Sequence, residues 1–313
     1  MSNQITSGQR SSTKPSRSVA ACFSASRFRI SRSRRSSNTT SARTPRPRFG
    51  LNCRRRICTC SMPTTERSKL VCNPLVDSLW IGSNLKMALG RGETLRLVQH
   101  VAGLDDGAQR ALVVSMPFLG ESVAAAQGSG LRIGVQGCST HDRGAYTGEV
   151  AAQDVASMGA DFVMVGHAER VALGESLESF AHQVQRAREA HLKVLVCVGE
   201  EAQGDHDSDD LITQVRLIAG GQFRHGDVLA YEPYWAIGEA GREAPVDYID
   251  ARMTRVRSAL GEDVTLVYGG SVNEGNCAQI ASLDGASGVF VGRAAWSPAK
   301  WSGIEARVRG ESQ

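Results

Sequence analysis

Acidic residues are almost missing from the first quarter of this 313-residue chain. Residues 1–75 hold 16 of the 36 lysines and arginines but only one of the 32 acidic residues, Glu66, so this stretch nets +15. The other 20 basic residues face 31 acidic ones, giving −11 for residues 76–313; the overall +4 describes neither part. A uniformly basic nucleic-acid binder is thereby excluded, and the acidic part would repel a phosphate backbone. Glycine is scarce in the same first stretch, where only Gly8 and Gly50 of the 33 occur. No apolar run approaches the ~20 residues that span a bilayer, which excludes a membrane-spanning helix. Beyond the head, cysteine is limited to Cys138, Cys197 and Cys277. Three widely spaced cysteines make no disulfide framework, so a reducing compartment is expected. In the head, Cys58-Thr-Cys60 lacks the CxxC spacing and a nearby histidine, and no metal site is expected there.

The chain therefore divides into an Arg/Ser-rich extension, residues 1–75, and a glycine-rich folded domain, residues 76–313. Residues 1–61 show no sustained apolar period and cannot bury enough surface to offset chain entropy, so disorder is expected. Three readings of the extension stay open. Its acid-poor composition suits an organelle transit peptide. It also suits a solvated basic tail that touches nucleic acid or anionic lipid. In the third reading the working protein starts at Met62.

What is present from Ser78 onward is a repeating alternation. Short apolar runs recur at 79–82, 111–114, 131–135, 162–165, 194–198, 228–231, 264–268 and 288–291. Such β-branched runs are what a parallel sheet covered on both faces produces. Between them lie helical stripes: Leu97, Val101, Leu104; Leu177, Phe180, Val184; and Ile249, Met253, Val256, Leu260, with Gly261 as a stop. Eight strand–helix units with no leftover second domain predict a single-domain α/β fold, a (β/α)8 barrel. A doubly wound open sheet would need a glycine fingerprint after the first strand, and Gly82-Ser-Asn-Leu-Lys86 is not one.

In such a barrel the loops after the strands carry function. Those loops hold Asn84 and Lys86, His167 and Glu169, Glu232, Gly269-Gly270-Ser271, and Gly292-Arg293. Singly, each has a plain explanation; Ser271-Val-Asn-Glu274, for instance, fits a helix-starting capping box. Together they bring a carboxylate, an imidazole and an ammonium to one rim. Beside them lie glycine turns whose exposed N–H groups suit a phosphate.

Five segments then resemble the triosephosphate isomerase family in order: Asn84-Leu-Lys86-Met87, Gly144-Ala-Tyr-Thr147-Gly-Glu149, Gly166-His167-Ala-Glu169-Arg170, Tyr231-Glu232-Pro-Tyr-Trp-Ala-Ile-Gly238, and Tyr268-Gly-Gly-Ser271-Val272. The resemblance implies an isomerase interconverting dihydroxyacetone phosphate and glyceraldehyde 3-phosphate through an enediolate, with no metal and no cofactor. It implies Glu232 as the base, His167 as a neutral electrophile and Lys86 as the charge stabiliser. It implies substrate contacts from Asn84, Gly238, Ser271 and Gly292, with Glu169 and Thr147 in support. A cytoplasmic homodimer acting on a small phosphorylated sugar is expected, with no nucleic-acid or membrane partner. An organelle is the alternative if residues 1–61 are a transit peptide.

The chain also departs from the family pattern. Leu85 stands where Trp is usual, Ala88 for Asn, Ala168 for Ser, and Gly292-Arg293 for a Gly-Gly pair. Arg293 is either a phosphate partner or a rim charge. The run Gly292-Arg-Ala-Ala-Trp296 resembles a bacterial branch that converts L-erythrulose 1-phosphate to D-erythrulose 4-phosphate in erythritol breakdown. Tetrulose phosphate is thus the alternative substrate. A non-catalytic barrel acting as a binding or scaffold protein is the alternative of another class.

Overall fold

The computed structural model describes residues 79–104, 107–204, 207–238 and 241–311. The expectations for the basic extension, including its disorder, the Cys58–Cys60 pair and the Met62 start, lie outside the described residues. So do Glu239 and Ala240 of the glycine-rich stretch after Glu232.

Eight parallel strands close into a barrel in sequence order: β1 (Trp80–Asn84), β2 (Gln109–Val114), β3 (Leu131–Val135), β4 (Phe162–Val165), β5 (Lys193–Val198), β6 (Val228–Tyr231), β7 (Thr265–Tyr268) and β8 (Gly288–Val291). The eight runs seen in the sequence are these eight strands. The first extends two residues further than the apolar run, so Asn84 belongs to the strand, pairing with Val113 of β2. The ring closes where β8 pairs with β1, from Trp80↔Gly288 to Ser83↔Val291.

Nine helices surround it among the described residues: α1 (Arg91–Ala102), α2 (Leu119–Ala126), α3 (Ala152–Ser157), α4 (Ala168–Ala172), α5 (Leu177–Glu189), α6 (Asp207–Ala219), α7 (Val246–Leu260), α8 (Cys277–Ala281) and α9 (Pro298–Val308). The stripes on α5 and α7 face the core, with Phe180, Val184, Ile249, Met253 and Val256 all buried. Gly261 stops α7 at φ 92°, a conformation that favours glycine. The first stripe differs in its last member: α1 ends at Ala102, and Leu104 packs on the core from the following turn.

Period-two alternation sorts the strand residues into two cores. Trp80, Val113, Phe162, Leu195, Ala230, Val267 and Phe290 fill the barrel interior. Ile81, Leu112, Val163, Val196, Leu229 and Val289 face the helices. With few aromatics available, three rings, of Trp80, Phe162 and Phe290, do much of the interior filling, and neighbouring glycines make room for the first two. A Cβ on Gly82 would collide with the Trp80 ring, and one on Gly134 with the Phe162 ring. Among the described residues no helix is long and apolar enough to cross a membrane.

Candidate active site

Glu232 follows β6 directly, its N–H donating to the Val198 carbonyl at 2.8 Å. Its side chain lies beside the turn after β7, where a Cβ on Gly269 would collide with the carboxylate. The glycine of that turn is there for space. His167 follows β4 through Gly166, which has φ 84° and whose Cβ would strike the Cys197 carbonyl. Glycine satisfies both constraints at once. Lys86 follows β1 in a left-handed conformation, φ 50°, rare for a residue with a side chain. Its carbonyl is held by Ser115 Oγ at 2.9 Å and Gln136 Nε2 at 2.7 Å. Its N–H donates to Asn84 Oδ1 at 2.9 Å. Surroundings that fix both sides of a strained peptide are how such strain persists.

These groups converge. Lys86 Nζ donates to Glu169 Oε1 at 2.8 Å. The Glu169 N–H donates to His167 Nδ1 at 3.2 Å, so the imidazole proton sits on Nε2. That Nε2 lies 3.8 Å from Glu232 Oε2, an oxygen that is buried and has no hydrogen-bond partner. Glu232 is 1% exposed and His167 4%. Burial pushes the Glu232 carboxyl up to about 8, against the lowering pull of the Lys86 charge and the Cys197 thiol. Burial also holds the His167 imidazole down at about 4, with the Lys86 charge acting in the same direction. At neutral pH the ring is neutral, with one N–H to donate.

Of the ten residues named from the sequence, nine line one cavity of about 980 Å3: Asn84, Lys86, His167, Glu169, Glu232, Gly238, Ser271, Gly292 and Arg293. Thr147 lies apart. It lines an adjoining cavity of about 1110 Å3 that shares Asn84, Lys86, His167 and Glu169 with the first. Ser271 does not start a helix: α8 begins at Cys277 behind Asn276, and Ser271 Oγ donates instead to the Ala236 carbonyl at 2.6 Å. The capping-box reading is corrected accordingly, since the hydroxyl ties the stretch after β6 to the turn after β7. Arg293 is exposed at the cavity wall with no counter-ion among the described residues.

Several contributors escaped the sequence. Glu200, after β5, accepts from Tyr231 Oη (2.9 Å), Trp235 Nε1 (3.3 Å) and Tyr248 Oη (2.8 Å), all on one oxygen. Gln136 and Ser115 grip the Lys86 peptide. Polar residues scattered through loops carry no spacing signal, so only the fold reveals them.

The arrangement can remove a proton from carbon beside a carbonyl, polarise that carbonyl with a neutral N–H, and compensate the resulting negative charge with an ammonium. Residues 79–307 match the family model for triosephosphate isomerase. The chain is 31% identical over 249 residues to the L-erythrulose-1-phosphate isomerase of Brucella abortus biovar 1 (strain 9-941), covering 74% of this chain and 97% of the relative. It is 31% identical over 254 residues to the same-named protein of Rhizobium rhizogenes, covering 75% and 97%. It is 33% identical over 243 residues to the triosephosphate isomerase of Hyphomonas neptunium, covering 74% and 96%. With a barrel of this topology and this spread of matches, the chain belongs to the triosephosphate isomerase family and is a sugar-phosphate isomerase.

Proposed function

We propose that the substrate is a four-carbon ketose phosphate, L-erythrulose 1-phosphate, converted to D-erythrulose 4-phosphate. The observation that carries this reading is Arg293: an uncompensated guanidinium on the wall of the cavity that holds Glu232, His167 and Lys86. It stands in the phosphate-type turn where the family pattern has glycine. Ala88, a further departure, and Trp296, the end of the run that resembles the tetrulose-phosphate branch, line the same cavity. Relatives named L-erythrulose-1-phosphate isomerase add weight.

In this reading the Glu232 carboxylate takes the proton from the hydroxyl-bearing carbon next to the carbonyl. His167 donates through Nε2–H to the carbonyl oxygen and carries protons between the two oxygens of the enediolate. Lys86 neutralises the developing charge, aided by the Asn84 amide and steadied by Glu169. Glu232 then returns the proton to the adjacent carbon, which moves the carbonyl by one position and needs no redox partner. The phosphate sits against Gly238, Ser271 and Gly292 with Arg293 beside it. Closure of the stretch after Glu232 would exclude water and prevent loss of phosphate from the enediolate.

A homodimer belongs to the same reading. Met87 (97% exposed), Tyr146 and Leu173 present apolar surface in the cavity that Thr147 lines, as a groove receiving a partner's loop would. A cytoplasmic location is supported by the unpaired Cys138, Cys197 and Cys277. The second reading, a triose phosphate isomerase, is favoured by the relative of that name in Hyphomonas neptunium, 33% identical over 243 residues. The test is a side-by-side assay of the full chain on L-erythrulose 1-phosphate and dihydroxyacetone phosphate. A higher kcat/KM on the tetrulose is expected; preference for the triose overturns the proposal, and turnover of neither supports a non-catalytic barrel.

A further inference from the structure

We propose that Trp296 is a positioning residue for Lys86: its indole N–H completes the β1–β8 ladder one step past the end of β8 and so fixes the strand end that carries the ammonium. The inference rests on the enediolate reading above. It starts from backbone direction. The Leu85 N–H donates to Val113 of β2 at 3.0 Å, so the peptide groups of Asn84, one residue earlier, face the other neighbour, β8. The β1–β8 register, however, stops at Ser83↔Val291. Beyond Val291 the chain leaves the sheet at Gly292 and coils through a short 3-10 turn, Arg293–Ala295. No strand N–H is left for the Asn84 carbonyl, and Asn84 is 4% exposed. A buried carbonyl without a partner is costly. Trp296 Nε1 donates to it at 2.8 Å, across 212 positions of sequence.

The consequence reaches the ammonium through one residue. Asn84 Oδ1 accepts the Lys86 N–H, and the Lys86 carbonyl is held by Ser115 and Gln136. The ends of β2, β3 and β8 thus each send one side chain to grip the Asn84–Lys86 segment, which holds a left-handed lysine. Trp296 is the grip nearest the phosphate-type turn. The Ala295 N–H returns to the Gly292 carbonyl at 3.0 Å, so the indole and the Gly292–Arg293 pair are parts of one compact turn. Aliphatic side chains at position 296 would fill space but donate nothing.

The test is Trp296→Phe in the full chain, which keeps a ring and deletes the donor. The expected kcat is about tenfold lower, the cost of one well-placed hydrogen bond on the reacting geometry. Inhibition by inorganic phosphate should stay within about twofold, because the anion turn is intact. Substrate deuterated at the carbon that loses its proton should show a larger isotope effect than with wild type, since proton transfer becomes slower relative to release. Hydrogen exchange of the Lys86 amide should quicken, while that of Leu195 in the middle of β5 stays unchanged. A kcat and isotope effect equal to wild type overturn the proposal. Exchange that quickens equally at Lys86 and Leu195 also overturns it, because the indole is then only a packing group. If wild type turns over neither sugar phosphate, the functional reading fails, and the exchange measurement alone decides on Trp296.

Discussion

The two rims of the barrel treat buried carboxylates in opposite ways. At the rim where the strands begin, carboxylates are fully engaged. Glu305 takes Arg110 on one oxygen and Trp301 Nε1 on the other at 2.7 Å. Asp227, just before β6, accepts from the Val194 N–H on one oxygen and from the Arg224 N–H and Arg188 on the other. Arg257 is clasped by the carbonyls of Val264 and Gly285 and by Ser287 Oγ. At the rim where the strands end, Glu232 and Glu200 each bury an oxygen with no partner, and the Tyr268 hydroxyl has none either. Unmet polar groups cost stability, so they persist where a ligand or a moving segment completes them. Carboxylate oxygens are matched at the rim where the strands begin, although Arg188 and Arg257 each keep a buried Nε without a partner there; unmatched carboxylate oxygens lie at the rim with the cavity.

Changes at the two rims should therefore separate activity from stability. The largest effect is expected from Glu232→Gln, which removes the proposed base and should lower kcat by about a thousandfold or more. The folded carboxyl titrates near 8, above its ordinary 4.5, so it favours the fold below about 4.5 and that contribution is lost as pH rises through 8. The glutamine variant escapes this loss. Thermal melts should show it more stable than wild type above pH 8, and a lower melting temperature there would break the contrast between the rims. Lys86→Ala should cost a comparable factor in kcat by leaving the enediolate charge uncompensated; rates near those of wild type would remove Lys86 from the mechanism.

Next in size is Glu305→Ala, which deletes the buried carboxylate shared by Arg110 and Trp301 and should cost about 3 kcal/mol of stability. Urea unfolding measures this, and the kcat of the folded protein should not move. For wild type, the kcat/KM profile should fall about tenfold per pH unit below about 8, because Glu232 must be ionised to accept a proton. No second limb is expected from His167 until near pH 4. A flat profile between pH 6 and 8 would contradict a buried, unpartnered base. The smallest effect is expected from Trp235→Phe. It deletes one 3.3 Å bond to Glu200 and should change kcat by about threefold through the stretch after β6, with unfolding unaltered.

The contrast between the rims also marks what could be read in advance. Residues at the C-terminal rim sit in tight clusters immediately after each apolar run, and the chemistry needs particular side chains at fixed offsets. Glu232, His167 and Lys86 therefore stood out as candidates only together at one rim, and the family resemblance suggested their roles. The opposite rim left no such trace: Arg110 and Glu305 are 195 positions apart, and neither lies in a motif. For Ser271 the sequence offered a helix cap or a phosphate contact, and only the fold excludes the cap and shows the bond to the Ala236 carbonyl. Here its hydroxyl serves the neighbouring loop.

By itself, the order of residues determined the eight strands, most of the helical stripes and the set of groups available for proton transfer. Those depend on periodicity and on chemistry local to a few positions. Only the closed barrel decided what happens between distant segments: the buried, raised Glu232 carboxyl, the neutral imidazole oriented by a backbone N–H, and the indole of Trp296 on the carbonyl of Asn84. Burial and hydrogen-bond partners are properties of surroundings, and closing the ring from β8 back to β1 is what brings residues 84 and 296 within 2.8 Å.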